Sequence, residues 1–165
     1  MYYAGTGDIE IDIDHFRNIV EIAMKLNDYT LRTGNKGGIE AALRTGAHMR
    51  EIMLPSMIPE DVKKLAFDYT YDLKSVLIDP TISINNASQQ IQMVLGFNLT
   101  SPSNFILIYN SDPTKKYLAE IIANENNIPC FNLYKQRIYD QFINMLENKI
   151  NIHEILYMYQ LERNM

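Results

Sequence analysis

The segment Tyr29–Ala47, YTLRTGNKGGIEAALRTGA, decides how the rest of the chain is read. Its first five residues predict a strand, and its last nine, 39–47, predict a short helix stopped by Gly46. Between them lie Gly34, Gly37 and Gly38, so that with Gly46 the segment holds four of the chain's seven glycines. Glycine weakens helices and loses the most entropy on folding, so the backbone here must turn tightly or approach another group closely. On a purely structural reading, Gly34 takes a positive φ in a turn and Gly38 lets helix and strand pack closely. On a functional reading, the free N–H groups of the helix start, with Arg32 and Lys36 beside them, hold an anion such as a phosphate.

Outward from this unit, strand and helix alternate. MYYAG (1–5) predicts a strand running into the turn GTGD. A helix follows, with Phe16, Ile19, Val20 and Ala23 on one face and Asp12 or Asp14 as its cap. REIMLP (50–55) predicts a third strand. Residues 59–73 predict a helix with Pro59 near its first turn, and residues 85–97 another, capped by Asn85 or Asn86. NFILIYN (104–110) is β-branched and apolar on both faces, as a central parallel strand should be. Residues 112–127 predict a helix with Leu118, Ile121 and Ile122 facing inward, and IPCFNLY (128–134) the last strand. Beyond Tyr134 no glycine or proline occurs, and the apolar spacing fits one bent helix or two short ones. The expectation is an α/β, Rossmann-like three-layer sandwich on a mostly parallel sheet over 1–134, with a C-terminal helical extension over 135–165. Ligands of such sheets sit beyond the carboxyl ends of the strands, where GTGD and RTGNKGG both fall.

Composition narrows the function. With 165 residues, 47% hydrophobic and 21% charged, the chain predicts one soluble globular domain. Its net charge of −5 disfavours nucleic acid as a partner. A single cysteine, Cys130, read as a buried strand residue, and three scattered histidines give no metal signature. No cofactor is expected. No apolar run is long enough to span a bilayer and the N-terminus has no secretory pattern, so the expected location is the cytoplasm, with no membrane contact.

In order, YYAGTG, LRTGNKGGIEAALRTGA, REIMLP, QMVLGFNLTSPSNFILIYN and NNIPCFNLY resemble the small phage and bacterial proteins related to the DprA/Smf and LOG group, often called SLOG domains. The likeness covers roughly 1–134. It implies a Rossmann-like sheet whose glycine loops bind nucleotides or nucleotide-derived ligands, and a phage-encoded protein acting in the bacterial host cytoplasm. Gly5 and Gly7 keep the first loop, Gly34, Gly38 and Gly46 the second, and Glu40 stands where the family has Asp. The third loop is lost: its GGTG pattern falls on Thr114, Lys115, Lys116 and Tyr117, with no glycine at all. The Glu of the LOG-type GGxGTxxE pattern falls on Ile121, and the neighbouring Glu120 should point elsewhere on a helix. Asp8, Glu10, Asp12 and Asp14 crowd the first loop and oppose a phosphate, with Lys115 and Lys116 as compensating charges; Asp12 and Asp14 read best as helix caps.

The expected function is a non-catalytic binder, sensor or sequestering protein, with Gly5, Gly7, Arg32, Gly34, Lys36, Gly38, Glu40, Lys115 and Lys116 at the ligand and no catalytic residue. The alternative is a scaffold or interaction protein that has lost the pocket. A LOG-like nucleotide N-glycosidase ranks third because its Glu is missing. Surplus apolar residues in the tail, Met158 and Leu161 among them, predict a homo-oligomer, or a protein partner docked through the C-terminal helices. Valine at Gly38 is expected to remove ligand binding and leave the fold intact.

Overall fold

The run FILIY forms β4 (Phe105–Tyr109), buried at every position. A strand that is apolar on both faces needs cover on both, and β4 pairs in parallel with β1 (Tyr2–Gly7) on one side and β5 (Cys130–Asn132) on the other. β2 (Thr30–Thr33) and β3 (Met49–Ile52) extend the sheet beyond β1, giving the order β3-β2-β1-β4-β5. The computed structural model describes residues 1–72 and 82–165, and among them the sheet is parallel throughout.

Alternation along the strands sorts the core into two layers. Tyr3, Leu31, Phe105, Leu107 and Phe131 face α1 (Ile13–Lys25) and α2 (Ile39–Gly46). Ala4, Ile106 and Ile108 face α3 (Glu60–Asp72), α4 (Ile84–Leu95) and α5 (Leu118–Glu125). The tail forms two helices, α6 (Gln136–Asn148) and α7 (Ile152–Asn164), separated at Lys149, whose φ is 54°. Phe142, Met145, Ile152 and Ile155 join the α1/α2 layer of the core. The outer face of α7 leaves Tyr157, Met158 and Leu161 exposed.

Several boundaries differ from the sequence reading. Asp12 caps α1 as expected, accepting the N–H of Asp14 at 2.7 Å and of His15 at 3.4 Å. Helix α4 is capped by Ser83, not by Asn85 or Asn86, and so begins earlier. The helix read from Asp112 starts only at Leu118, because Asp112 turns the chain by accepting the N–H and hydroxyl of Thr114 at 2.9 and 2.6 Å. Of the inward residues expected there, Leu118 and Ile122 are buried and Ile121 is half-buried. The third strand stops at Ile52, and Cys130 is half-buried in β5. The helix expected over 59–73 is α3; its last expected residue, 73, lies outside the described residues.

The chain runs β1 to β2 to β3 toward one edge, then crosses to β4 and β5 on the other. The direction reverses between β1 and β4. The loops after β1, β2 and β4 therefore gather at one crevice on the carboxyl edge of the sheet.

Candidate functional site

The close approach demanded by the glycine segment is to the chain's own first loop. Gly38 has φ 63° and ψ −130°, and a Cβ there would lie 2.0 Å from the Asp8 carbonyl oxygen and 2.6 Å from Ile9 Cα. The next N–H, from Ile39, donates to that Asp8 carbonyl at 3.2 Å. A valine at Gly38 therefore collides with backbone, so the expectation that it would spare the fold is reversed. Gly34 does not take positive φ; among the described residues the glycines that do are Gly7, Gly38 and Gly96. Gly34 instead makes room for Glu40, whose Oε1 would sit 2.4 Å from a Cβ.

Glu40 is 2% exposed, and its carboxyl oxygens are both used. Oε2 accepts the Thr6 hydroxyl at 2.7 Å and Oε1 accepts the Lys36 N–H at 3.2 Å. The acidic group held by the glycine loop is thus an internal one. Arg44 fixes the loop from outside, donating to the carbonyls of Gly34 and Lys36 at 2.7 Å each.

Three more of the residues predicted from sequence are structural in position. Arg32, 3% exposed, turns toward the amino-terminal end of the sheet. There it pairs with Glu51 at 3.3 Å, donates to the Ser101 carbonyl and to the Ser101 and Ser103 hydroxyls, and stacks on Tyr2 with Cζ 3.6 Å from the ring centre. Gly5 lies inside β1 against Leu43, and Gly7 ends β1 against the backbone of Tyr109. Lys36, Lys115 and Lys116, by contrast, come together.

These three lysines line a cavity of about 380 Å³ at the switch point, with Asp8, Asn110 and Tyr117. All three are exposed, and none forms an ion pair among the described residues. The side of α4, through Asn86 and Gln90, and the first residue of α5, Leu118, also line this cavity. Asp8 opposes the lysines, but its carboxyl is committed: it accepts the Ser111 N–H at 3.0 Å, the Ser111 hydroxyl at 2.6 Å and the Tyr117 hydroxyl. Burial first, then the bond to Asp8, pushes the Tyr117 hydroxyl well above the usual tyrosine range, so it stays a donor. The Thr114 hydrogen bonds hold the Asp112 carboxyl below its usual range and so charged. Lys115 and Lys116 are positioned by a loop that Asn110 organises, donating to the Lys115 carbonyl at 2.8 Å and to Glu120 at 3.1 Å.

A second cavity of about 410 Å³ lies on the other side of this loop and shares Asn110, Asp112, Lys115 and Lys116 with the first. Glu120 lines it. Its Oε2 turns back to the Tyr117 N–H at 2.8 Å, capping α5, rather than facing the first cavity. Ile121 packs against the α3–α5 layer.

Sequence reasoning missed Asn86, Gln90, Asn110 and Tyr117 and treated Asp8 only as an obstacle. The available signal was SQQIQ in an otherwise apolar stretch: Ser88, Gln89, Gln90 and Gln92 are all buried in α4. Buried amides need partners, and Gln90 Oε1 accepts the Ala119 N–H at 3.0 Å while Gln89 donates to the Met53 carbonyl at 2.6 Å. Among the described residues no cluster of potential metal ligands occurs, and no helix is long and apolar enough to cross a membrane. Comparison with known protein families, with curated proteins and with solved structures returned no match.

Proposed function

We propose that this protein binds a nucleotide or nucleotide-derived small molecule in the switch-point cavity, as a non-catalytic sensor or sequestering protein. The observation that carries the reading is the convergence of Lys36, Lys115 and Lys116, without ion-pair partners among the described residues, on one cavity at the carboxyl edge of a parallel sheet. Such a site attracts a phosphate-sized anion, while Asn86 and Gln90 offer amide groups to a polar ligand body. The sequence likeness to SLOG domains supports the nucleotide class, and with it a phage origin and a role in the host cytoplasm. Lysine side chains take over the part that glycine N–H groups play in the lost third loop.

The test is titration calorimetry with ribonucleoside 5′-monophosphates and diphosphates at low salt. Lys115→Ala/Lys116→Ala should weaken binding roughly 10-fold or more, as expected for losing charge-assisted contacts to a phosphate. Absence of binding to the wild-type protein, or equal binding by the double variant, would refute the reading.

A second reading is favoured by one feature. Tyr157, Met158 and Leu161 lie exposed along the outer face of α7, which supports self-association or a protein partner at the tail.

A further inference from the structure

Below the main cavity lies a crevice of about 10 Å³ that shares Lys36, Asn86 and Gln90 with it and is floored by Glu40 and Thr6. That is the room of a single water-sized group. Its chemistry is two-sided. Each Glu40 oxygen accepts one hydrogen bond and keeps a further acceptor site. The Gln90 amide is oriented by its own contact: Oε1 must be the atom that accepts the Ala119 N–H, which leaves Nε2 as a donor without a partner among the described residues. The side-chain amide of Asn86 is likewise unpartnered among them. An acceptor and a donor around one small space select a group that both donates and accepts. A hydroxyl does so; an exocyclic aromatic amine donates but accepts poorly, and a phosphate oxygen only accepts.

We propose that this crevice recognises one hydroxyl of a ribose-type sugar, donating to Glu40 and accepting from Gln90, and so makes the cavity selective for ribo- over deoxyribonucleotides. The inference rests on the nucleotide-binding reading above. It gives the buried Glu40 a second task beside holding the glycine loop. It also orients the ligand, with the sugar inward and the phosphate outward at Lys36, Lys115 and Lys116.

The experiment compares inorganic phosphate, ribonucleoside 5′-monophosphates and their 2′-deoxy and 3′-deoxy counterparts on the wild-type protein by calorimetry. The expected result is that one deoxy series binds roughly 10- to 100-fold more weakly than the ribo series, the loss for a hydrogen bond to a charged partner. In Glu40→Gln, checked for folding by its thermal transition, that preference should shrink to about threefold or less, because an amide replaces one acceptor by a donor. If that variant does not fold, the wild-type comparison decides alone. Equal binding of ribo and both deoxy series by the wild-type protein overturns the hydroxyl site and leaves the binding reading standing. A preference undiminished in folded Glu40→Gln also overturns the site. No ribonucleotide binding better than inorganic phosphate overturns both.

Discussion

Gly37 and Gly38 are neighbours in sequence, yet alanine at each should have opposite consequences. At Gly38 an alanine must adopt φ 63° with ψ −130°, a combination that L-residues avoid, at a cost of about 1–3 kcal/mol. Its Cβ must also displace the Asp8 carbonyl and Ile9 backbone from 2.0 and 2.6 Å. Backbone cannot swing aside as a side-chain end can, so overpacking adds about 1–3 kcal/mol. Together Gly38→Ala should lose about 2–6 kcal/mol, a large part of the 5–15 kcal/mol typical of a domain. For a chain of this size that lowers Tm by roughly 5–20 °C. At Gly37 the nearest atom to a new Cβ is the Ile9 carbonyl oxygen at 3.5 Å, an ordinary contact, and φ is not in the left-handed region. Gly37→Ala should be neutral or stabilise by about 0.4–1 kcal/mol, through reduced entropy of the unfolded chain. Urea unfolding and thermal melts of the two single variants, measured side by side, give the answer. A Gly38→Ala protein within about 0.5 kcal/mol of wild type would refute the argument that this glycine serves the packing of one loop on another.

The remaining predictions concern residues whose role the structure reassigns. Arg32→Leu should cost about 1–3 kcal/mol in urea unfolding, since it removes the hydrogen bonds to the Ser101 carbonyl and to the Ser101 and Ser103 hydroxyls while the exposed Glu51 carboxylate stays solvated, and should leave the affinity of any cavity ligand within about twofold. A chain ended at Tyr134 should fail to give a cooperative thermal transition. It loses Phe142, Met145, Ile152 and Ile155 from the core, at about 1.5–3 kcal/mol each, which approaches the whole stability of a domain. Self-association through α7 is therefore better probed by Met158→Lys/Leu161→Lys. Light scattering at tens of micromolar should show an oligomer for the wild type and a monomer for this variant; a monomeric wild type ends that idea.

The architecture was legible because its signals are local. Short strand-like runs alternating with amphipathic stretches point to a parallel sheet, although TLRT and MREI are only partly apolar, and FILIY, with no polar face, could only lie inside that sheet. What was misread depends on contacts distant in sequence. Thr114, Lys115 and Lys116 have good enough helical character, but Asn110 and Asp112 draw them into a loop. Ser83, Asn85 and Asn86 are all sound caps, and only packing selects among them. With Ser83 chosen, Asn86 and Gln90 stand one turn apart toward the cavity while Ala87, Ile91 and Val94 meet the α3–α5 side of the core. Arg32 beside a glycine loop reads as a phosphate ligand until the strand's twofold alternation puts it on the same face as its neighbour Ala4, where its long side chain lies back against Ser101 and Tyr2. Lys36 was singled out by its place in the glycine loop, and Lys115 and Lys116 by their place in the lost third loop of the resemblance; the structure brings the three to one cavity.

The closed hydrogen-bonding of the glycine loop separates two sets of instructions in this chain. Gly38, Glu40, Thr6 and Arg44 spend their contacts on one another and on the first loop, and so are tied to the scaffold. Lys36, Lys115 and Lys116 project outward and hold nothing in place with their ammonium groups. Changes at these three positions are cheap in foldedness, so the charge of the rim can be rewritten while the frame beneath is inherited unchanged. Divergence of such a protein should therefore run through its lysines first, and an engineer seeking a new ligand should begin at the same three codons.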